Sequence, residues 1–295
     1  MSYRGRFAPS PSGPLHFGSL VAAVASWLDA RAAGGEWLVR IEDVDTTRTV
    51  PGAADEILRA LEAFGLRWDG PVEWQSRRTG LYDAALERLR ARALVYRCRC
   101  SRREIADSGA SGIEGLVYPG TCRSLGLAPS VEGADRVRVG AETISFTDRV
   151  QGEVSQRLDR DLGDFVLRRR DGLHAYQLAV VVDDAAQDIT DVVRGADLLL
   201  STPRQLYLQR LLGFVTPRYL HIPVATRGGH KLSKQNLAPA LDPRTATRAL
   251  AAALAFLGQP VPDGVSPGEC LAEAARRWDP RRIPGTREAE AGNTE

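Results

Sequence analysis

The stretch Arg6-Phe7-Ala8-Pro9-Ser10-Pro11-Ser12-Gly13-Pro14-Leu15-His16-Phe17-Gly18 constrains the fold more than any other. It joins a short apolar strand start to a loop of Pro, Ser and Gly, and ends on His-x-Gly at the mouth of a helix. Residues 19–33 supply that helix, with Leu20, Val21, Val24, Trp27 and Leu28 at helical spacing and Gly34-Gly35 as its stop. A strand, a tight loop and a helix N-terminus make an anion cradle, because unpaired backbone N–H groups and the helix dipole both favour negative charge there. On its own, the loop also reads as a Pro-rich turn between two core elements.

Strand and helix signals then alternate. Residues 36–42 read as a strand, 53–64 as a helix, 72–75 as a short strand and 79–93 as an amphipathic helix. This alternation predicts an α/β fold with a doubly wound parallel sheet, whose ligands sit beyond the carboxyl ends of the strands. Residues 6–10 and Glu42 fall at that edge. Between 96 and 163 the pattern breaks into Gly-rich and turn-rich sequence with β-like pieces at 135–139 and 143–146, as an insertion would. Alternation resumes at 164–168, with a helix at 175–184, a strand at 189–194, a helix at 203–212 and a last strand at 219–226. Beyond 238 there is one strong helix, 245–257, and a tail whose polar end, 288–295, is expected to be disordered. The expected organisation is a core domain in two halves, 1–95 and 164–237, interrupted by 96–163 and followed by a short helical part, 238–295.

Composition narrows the class. An apolar fraction of 43% and a charged fraction of 26% suit a soluble globular chain of 295 residues. There is no run of 18 apolar residues and no signal pattern, so a cytoplasmic protein without membrane contact is expected. Four cysteines, three of them clustered, fit a reducing compartment better than a disulfide framework. A net charge of +2 confines any nucleic-acid binding to local patches, such as Arg97, Arg99, Arg102 and Arg103, or Arg168-Arg169-Arg170. Of 39 basic residues only Lys231 and Lys234 are lysine, and both lie in Gly228-Gly229-His230-Lys231-Leu232-Ser233-Lys234. A compact ammonium suits a crowded phosphate, whereas arginine suits planar two-pronged contacts.

Five segments together carry a family resemblance: the loop ending Gly13-Pro14-Leu15-His16-Phe17-Gly18, Arg40-Ile41-Glu42-Asp43-x-Asp45, residues 177–184, residues 193–198, and Lys231-Leu232-Ser233-Lys234. In this order they resemble the glutamyl branch of the class I aminoacyl-tRNA synthetases. His16-Phe17-Gly18-Ser19 stands where the His-Ile-Gly-His signature sits, with Ser in the last place, and residues 231–235 stand where Lys-Met-Ser-Lys-Ser sits. The resemblance implies a Rossmann-like catalytic domain with a zinc-binding insertion. The ordinary enzymes carry a large C-terminal anticodon-binding region, which the residues after the lysine loop are too few to supply. That pattern resembles a truncated branch that activates glutamate and attaches it to the queuosine base of tRNA(Asp).

The resemblance also implies roles. His16, Lys231 and Lys234 would be catalytic, neutralising phosphate charge as a substrate carboxylate attacks the α-phosphate of ATP, with Gly18 also in the ATP site and Mg²⁺ accompanying the nucleotide. L-Glutamate would be held by Arg6 and Arg194 at carboxylates, Glu42 at the ammonium, Tyr176, and the segment Phe7, Ala8, Pro9 and Ser10. Asp43 and Asp45 are alternative ammonium partners. Cys98, Cys100 and Cys122, with Tyr118, resemble the family's single structural Zn²⁺ site, closed by the phenolate or by water, or left empty. Cys270 reads as a small core residue. The partners would be L-glutamate, ATP and queuosine-bearing tRNA(Asp), and nothing in the sequence resembles a dimer seam, so a monomer is expected. A truncated but conventional charging enzyme, and a catalytically silent glutamate- or RNA-binding paralogue, remain as alternatives.

Overall fold

The computed structural model describes residues 2–107, 111–112, 115–232, 239–263 and 266–292. The chain opens with β1 (Arg4–Phe7), α1 (Phe17–Ala32), β2 (Glu36–Ile41), α2 (Ala53–Ala63), β3 (Glu73–Trp74), α3 (Thr79–Ala91) and β4 (Val95–Cys98). β1 and β3 flank β2 in parallel, with Arg6 opposite Leu38 and Ile41 opposite Trp74. α1 is apolar on most of its circumference, and it is buried accordingly: Leu20, Val24 and Leu28 are inaccessible and pack with Trp37, Leu250 and Leu254.

The second half contributes two more parallel strands, Asp191–Gly195 and Arg218–Ile222, linked through the helix Thr202–Leu212. The two halves of the sheet are tied at their amino ends. Thr190 N–H donates to Arg4 O at 2.9 Å, and Arg4 N–H donates to Thr190 Oγ1 at 2.8 Å. No ladder pairs β1 with Asp191–Gly195 beyond that point, although the two strands run side by side. The reversal of strand order falls at this unpaired seam, the place where open α/β sheets bind ligands.

Several expectations need correction. The single strand expected at 219–226 is two, Arg218–Ile222 and Val224–Arg227, broken at Pro223, which has no N–H to give a ladder. Val166–Arg168 does not rejoin the parallel sheet; it pairs antiparallel with Ala134–Val137, whose other neighbour is β4. The polar segment expected to be disordered holds a strand, Glu288–Glu290, parallel to Val224–Thr226; residues 293–295 lie outside the described set. A second C-terminal helix, Pro267–Arg276, starts from a capping box at Ser266 and Glu269. It buries Cys270 and Leu271 against the main core. Among the described residues no helix is long and apolar enough to cross a membrane.

The insertion is bolted to the core. Its hairpin of antiparallel strands, Thr143–Asp148 and Gly152–Arg157, ends in a turn whose Arg149 makes a two-pronged ion pair with the buried Asp29 of α1.

Candidate active site

Over the seam between the two halves lies a cleft of about 880 Å³. Its walls include Arg6, Phe7, Ala8, Pro9, Ser10, His16, Gly18, Glu42, Tyr176, Arg194 and Lys231, drawn from both halves of the fold. Lys234 lies outside the described residues.

His16 is the N-cap of α1. Its Nδ1 accepts from Ser19 N–H at 3.3 Å, while Ser19 Oγ accepts from His16 N–H at 2.8 Å. The serine in the signature's last place is therefore the reciprocal half of a capping box. With Nδ1 accepting, a neutral His16 carries its proton on Nε2 and can donate it to an anion. Gly18 matters by having no side chain: a Cβ there would lie 3.1 Å from Leu232 O and 3.3 Å from the His16 ring. The lysine loop can therefore seat against the helix mouth. Lys231 Nζ donates to Asp197 Oδ2 at 2.6 Å across the cleft rim.

Beneath the floor lies a buried charge cluster. Arg6 grips Asp184 with two bonds, Nε to Oδ1 at 3.1 Å and a terminal nitrogen to Oδ2 at 3.3 Å. Arg40, fully buried, donates to Asp184 at 2.8 Å, Gln187 Oε1 at 2.7 Å and Glu42 at 3.3 Å. Asp183 takes Arg78, Gln75 and Tyr82 at 2.7–2.9 Å. Burial pushes the Glu42 carboxyl above its usual range, with Arg40 and Arg6 only partly offsetting it. Burial opposes ionisation of Asp184 as well, but there the two arginines win and hold the carboxyl below its usual range. Arg6, Arg40 and Arg78 thus face four carboxyl groups, Glu42, Glu73, Asp183 and Asp184.

Arg194 differs. It is 6% exposed, and its hydrogen-bond partners are neutral: His221 Nε2 at 3.0 Å, Thr202 Oγ1 at 2.9 Å and Tyr176 Oη at 3.4 Å. Its guanidinium also lies 5.4 Å from the centroid of the Tyr219 ring. No carboxylate pairs with it among the described residues, so a buried positive charge faces the cleft without its counterion. Such a site favours an anionic ligand. Of the two arginines expected to hold carboxylates, Arg194 has the charge to spare, whereas Arg6 is already matched by Asp184.

The remaining expected residues divide between core and cleft. The Phe7 ring stacks on Trp37 at 6.2 Å, which commits it to the core. Tyr176 opens the helix Tyr176–Ala186, and burial raises its hydroxyl pKa, so it stays a neutral donor and acceptor. Asp43 is occupied by Ser76 at 2.6 and 2.8 Å, and Asp45 by Arg169 at 3.0 Å. Arg48 and Asp197 also line the cleft and were not anticipated. Asp184 and Arg40 lie in two of the five segments that carry the resemblance, and their part in the buried cluster shows only in the fold.

Cys98, Cys100 and Cys122 converge as expected, all three sulfurs within 4.8 Å of one another. Tetrahedral zinc with bonds of about 2.3 Å separates its sulfurs by about 3.8 Å; Cys100 and Cys122 stand 3.5 Å apart. Tyr118 Oη lies 3.2 Å from Cys98 Sγ and 3.7 Å from Cys100 Sγ, and it accepts the Cys122 N–H at 2.9 Å. The donor set therefore fits a thiophilic metal, with the phenol at the fourth corner. Burial pushes the Cys100 thiol up to about 11. Burial also works against the Cys122 thiolate, but the Arg99 backbone N–H and the neighbouring thiols outweigh it and draw that thiol down.

Residues 2–248 match the family described as tRNA synthetases class I (E and Q), catalytic domain. A glutamyl-Q tRNA(Asp) synthetase from Dechloromonas aromatica is 59% identical over 96% of both chains. Another from Chromobacterium violaceum is 58% identical over 96% of this chain and 95% of that one. Among solved structures, a glutamate tRNA ligase from Elizabethkingia meningosepticum, in complex with its amino acid, superposes with a TM-score of 0.81 at 25% identity. That match covers 99% of this chain and 67% of the other. The chain belongs to the class I glutamyl and glutaminyl tRNA synthetase family, in the branch of the glutamyl-Q tRNA(Asp) synthetases.

Proposed function

We propose that the protein is a ligase that activates L-glutamate with ATP and transfers it to the queuosine base of tRNA(Asp). The observation that carries the reading is the buried Arg194, whose charge has no carboxylate partner among the described residues, in one cleft with Glu42 and the His16 helix mouth. A substrate carboxylate supplies the missing counterion, Glu42 answers the ammonium, and Tyr176 adds a hydroxyl to the same wall. Bound this way, a carboxylate oxygen attacks the α-phosphorus of ATP. The new O–P bond forms as the α–β bridging bond breaks, and pyrophosphate leaves. His16 Nε2–H, the free N–H groups of α1, Lys231 and Lys234 then stabilise the phosphate charge, largely by fixed position. The acceptor on the queuosine base attacks the acyl carbon of the adenylate, and AMP departs. Mg²⁺ enters with ATP as part of the substrate. One Zn²⁺ bound by Cys98, Cys100, Cys122 and Tyr118 would pin the start of the insertion to β4, a structural contribution.

The test is transfer of labelled glutamate, with ATP, to tRNA(Asp) prepared with and without queuosine, each with its 3′-terminal adenosine removed. Label on the queuosine-bearing RNA alone is the expected result. Label that requires an intact 3′ end on tRNA(Glu) would make the protein a truncated charging enzyme instead. No label, together with no glutamate-dependent ATP–pyrophosphate exchange, would make it a binding protein.

A further inference from the structure

Behind Arg194 lies a second, wholly buried chain of hydrogen bonds that belongs to no motif. Arg194 Nε donates to His221 Nε2 at 3.0 Å, and His221 Nδ1 stands 2.6 Å from Asp148 Oδ2. The imidazole and the carboxylate are both within 2% of complete burial. The other oxygen of Asp148 accepts three backbone N–H groups, from Val150 at 3.0 Å, Gln151 at 2.9 Å and His221 itself at 3.1 Å. Asp148 ends a strand of the inserted hairpin, whereas His221 lies on the outermost strand of the parallel sheet.

We propose that Asp148 and His221 are positioning residues for glutamate: the carboxylate fixes the imidazole as its neutral Nδ1–H form, and the bare Nε2 aims the Arg194 guanidinium into the cleft without neutralising it. This rests on the reading of glutamate as the substrate. An arginine needs an acceptor to hold its orientation when buried, but a carboxylate in direct contact would cancel the charge required for the substrate. A neutral imidazole meets both demands, with the carboxylate one residue further back. Burial and the Arg194 charge push His221 down to about 4, against the opposing pull of Asp148. Tyr219 covers the ring, stacked at 6.1 Å with 12° between planes, and Thr202 Oγ1 lies 3.3 Å from Nε2.

Asp148→Asn tests the relay with almost no change of shape. The three backbone donors require an oxygen at the Oδ1 position, so the amide nitrogen takes the Oδ2 position and donates to Nδ1. The imidazole proton then moves to Nε2, where it confronts Arg194 Nε–H, donor against donor. In glutamate-dependent ATP–pyrophosphate exchange, the KM for glutamate should rise roughly ten- to a hundredfold, the effect of losing one hydrogen bond to a charged group. The KM for ATP and kcat should stay within about twofold. His221→Gln, whose amide oxygen can replace Nε2 as acceptor, should recover most of the loss seen with His221→Ala. Nitrogen-detected NMR of the wild type at pH 7 should show one neutral imidazole protonated at Nδ1 that becomes protonated at Nε2 in Asp148→Asn.

An unchanged glutamate KM in a folded Asp148→Asn protein, or a wild-type His221 protonated at Nε2, would overturn the relay. Equal loss in all three kinetic constants would reduce Asp148 and His221 to structural residues and overturn it as well. If Asp148→Asn does not fold, the comparison of His221→Gln with His221→Ala and the wild-type tautomer decide. Absence of any glutamate-dependent exchange in the wild type would instead defeat the proposed function, and the tautomer measurement would still judge the relay.

Discussion

Two arginines that look alike in the sequence separate at the level of single residues. Arg6→Ala should remove half of a buried pair and leave Asp184 leaning on Arg40 alone, lowering unfolding stability by about 3 kcal/mol in urea titrations. Arg194→Ala removes a charge with no partner carboxylate, so stability should change little while glutamate KM rises more than about a hundredfold. His221 adds a pH dependence. It is neutral in the fold down to about 4, but its ordinary value is 6.5, so between these the unfolded chain binds the extra proton. Stability is therefore flat above 6.5 and falls as pH drops toward 4, by about 3 kcal/mol from this group. Unfolding titrations of wild type and His221→Gln at pH 7.5 and 5 should show a steeper acid loss in the wild type. That Arg194, Glu42 and His16 meet at one cleft was legible because each sits in a short stretch with neighbours of recognisable type. The contact of Asp148 with His221 was not: they are 73 positions apart, and neither has local context that marks it as polar core.

At the scale of elements, periodicity located most of the long helices and parallel strands, though not Pro267–Arg276, to within a few residues, because apolar spacing is all that such elements require. It failed where pairing rather than apolarity makes the strand. Glu288–Glu290 is polar because it is an edge strand, and its hold is specific: Thr226 Oγ1 donates to Glu290 Oε2 at 2.9 Å and Ala291 N–H to Thr226 O at 2.8 Å. Glu290 also accepts the Gly228 N–H at 2.5 Å, which anchors the start of the lysine loop. Glu290→Ala should therefore raise the KM for ATP severalfold in exchange assays while leaving the glutamate KM near its wild-type value. Cysteine spacing, by contrast, does mark the cluster that forms. The purified protein should hold one equivalent of zinc by atomic emission, and Cys98→Ser should reduce it below about a tenth. Tyr118→Phe separates two roles of the phenol: metal loss marks a ligand, and retained metal marks only an acceptor for the Cys122 N–H.

Across the whole molecule, the cleft lies over the seam where the two halves of the parallel sheet are joined by hydrogen bonds only at Arg4 and Thr190. Thr190→Val deletes the hydroxyl that accepts Arg4 N–H at that joint and should lower the midpoint of thermal unfolding by a few degrees, readable by calorimetry. The doubly wound sheet was evident from alternation alone, but its unpaired seam was not, since no residue type encodes the absence of a ladder. The bolted hairpin has one more consequence, for modularity. A segment spliced into a fold is ordinarily dispensable to it, and a designer seeking a minimal glutamate-activating core would begin by excising residues 96–163. Here the excision would take Asp148 and Arg149 with it, and with them the brace of Arg194 and the partner of Asp29. The graft has become part of the trunk, and a smaller catalyst would need a new acid planted behind His221 before the old one is cut away.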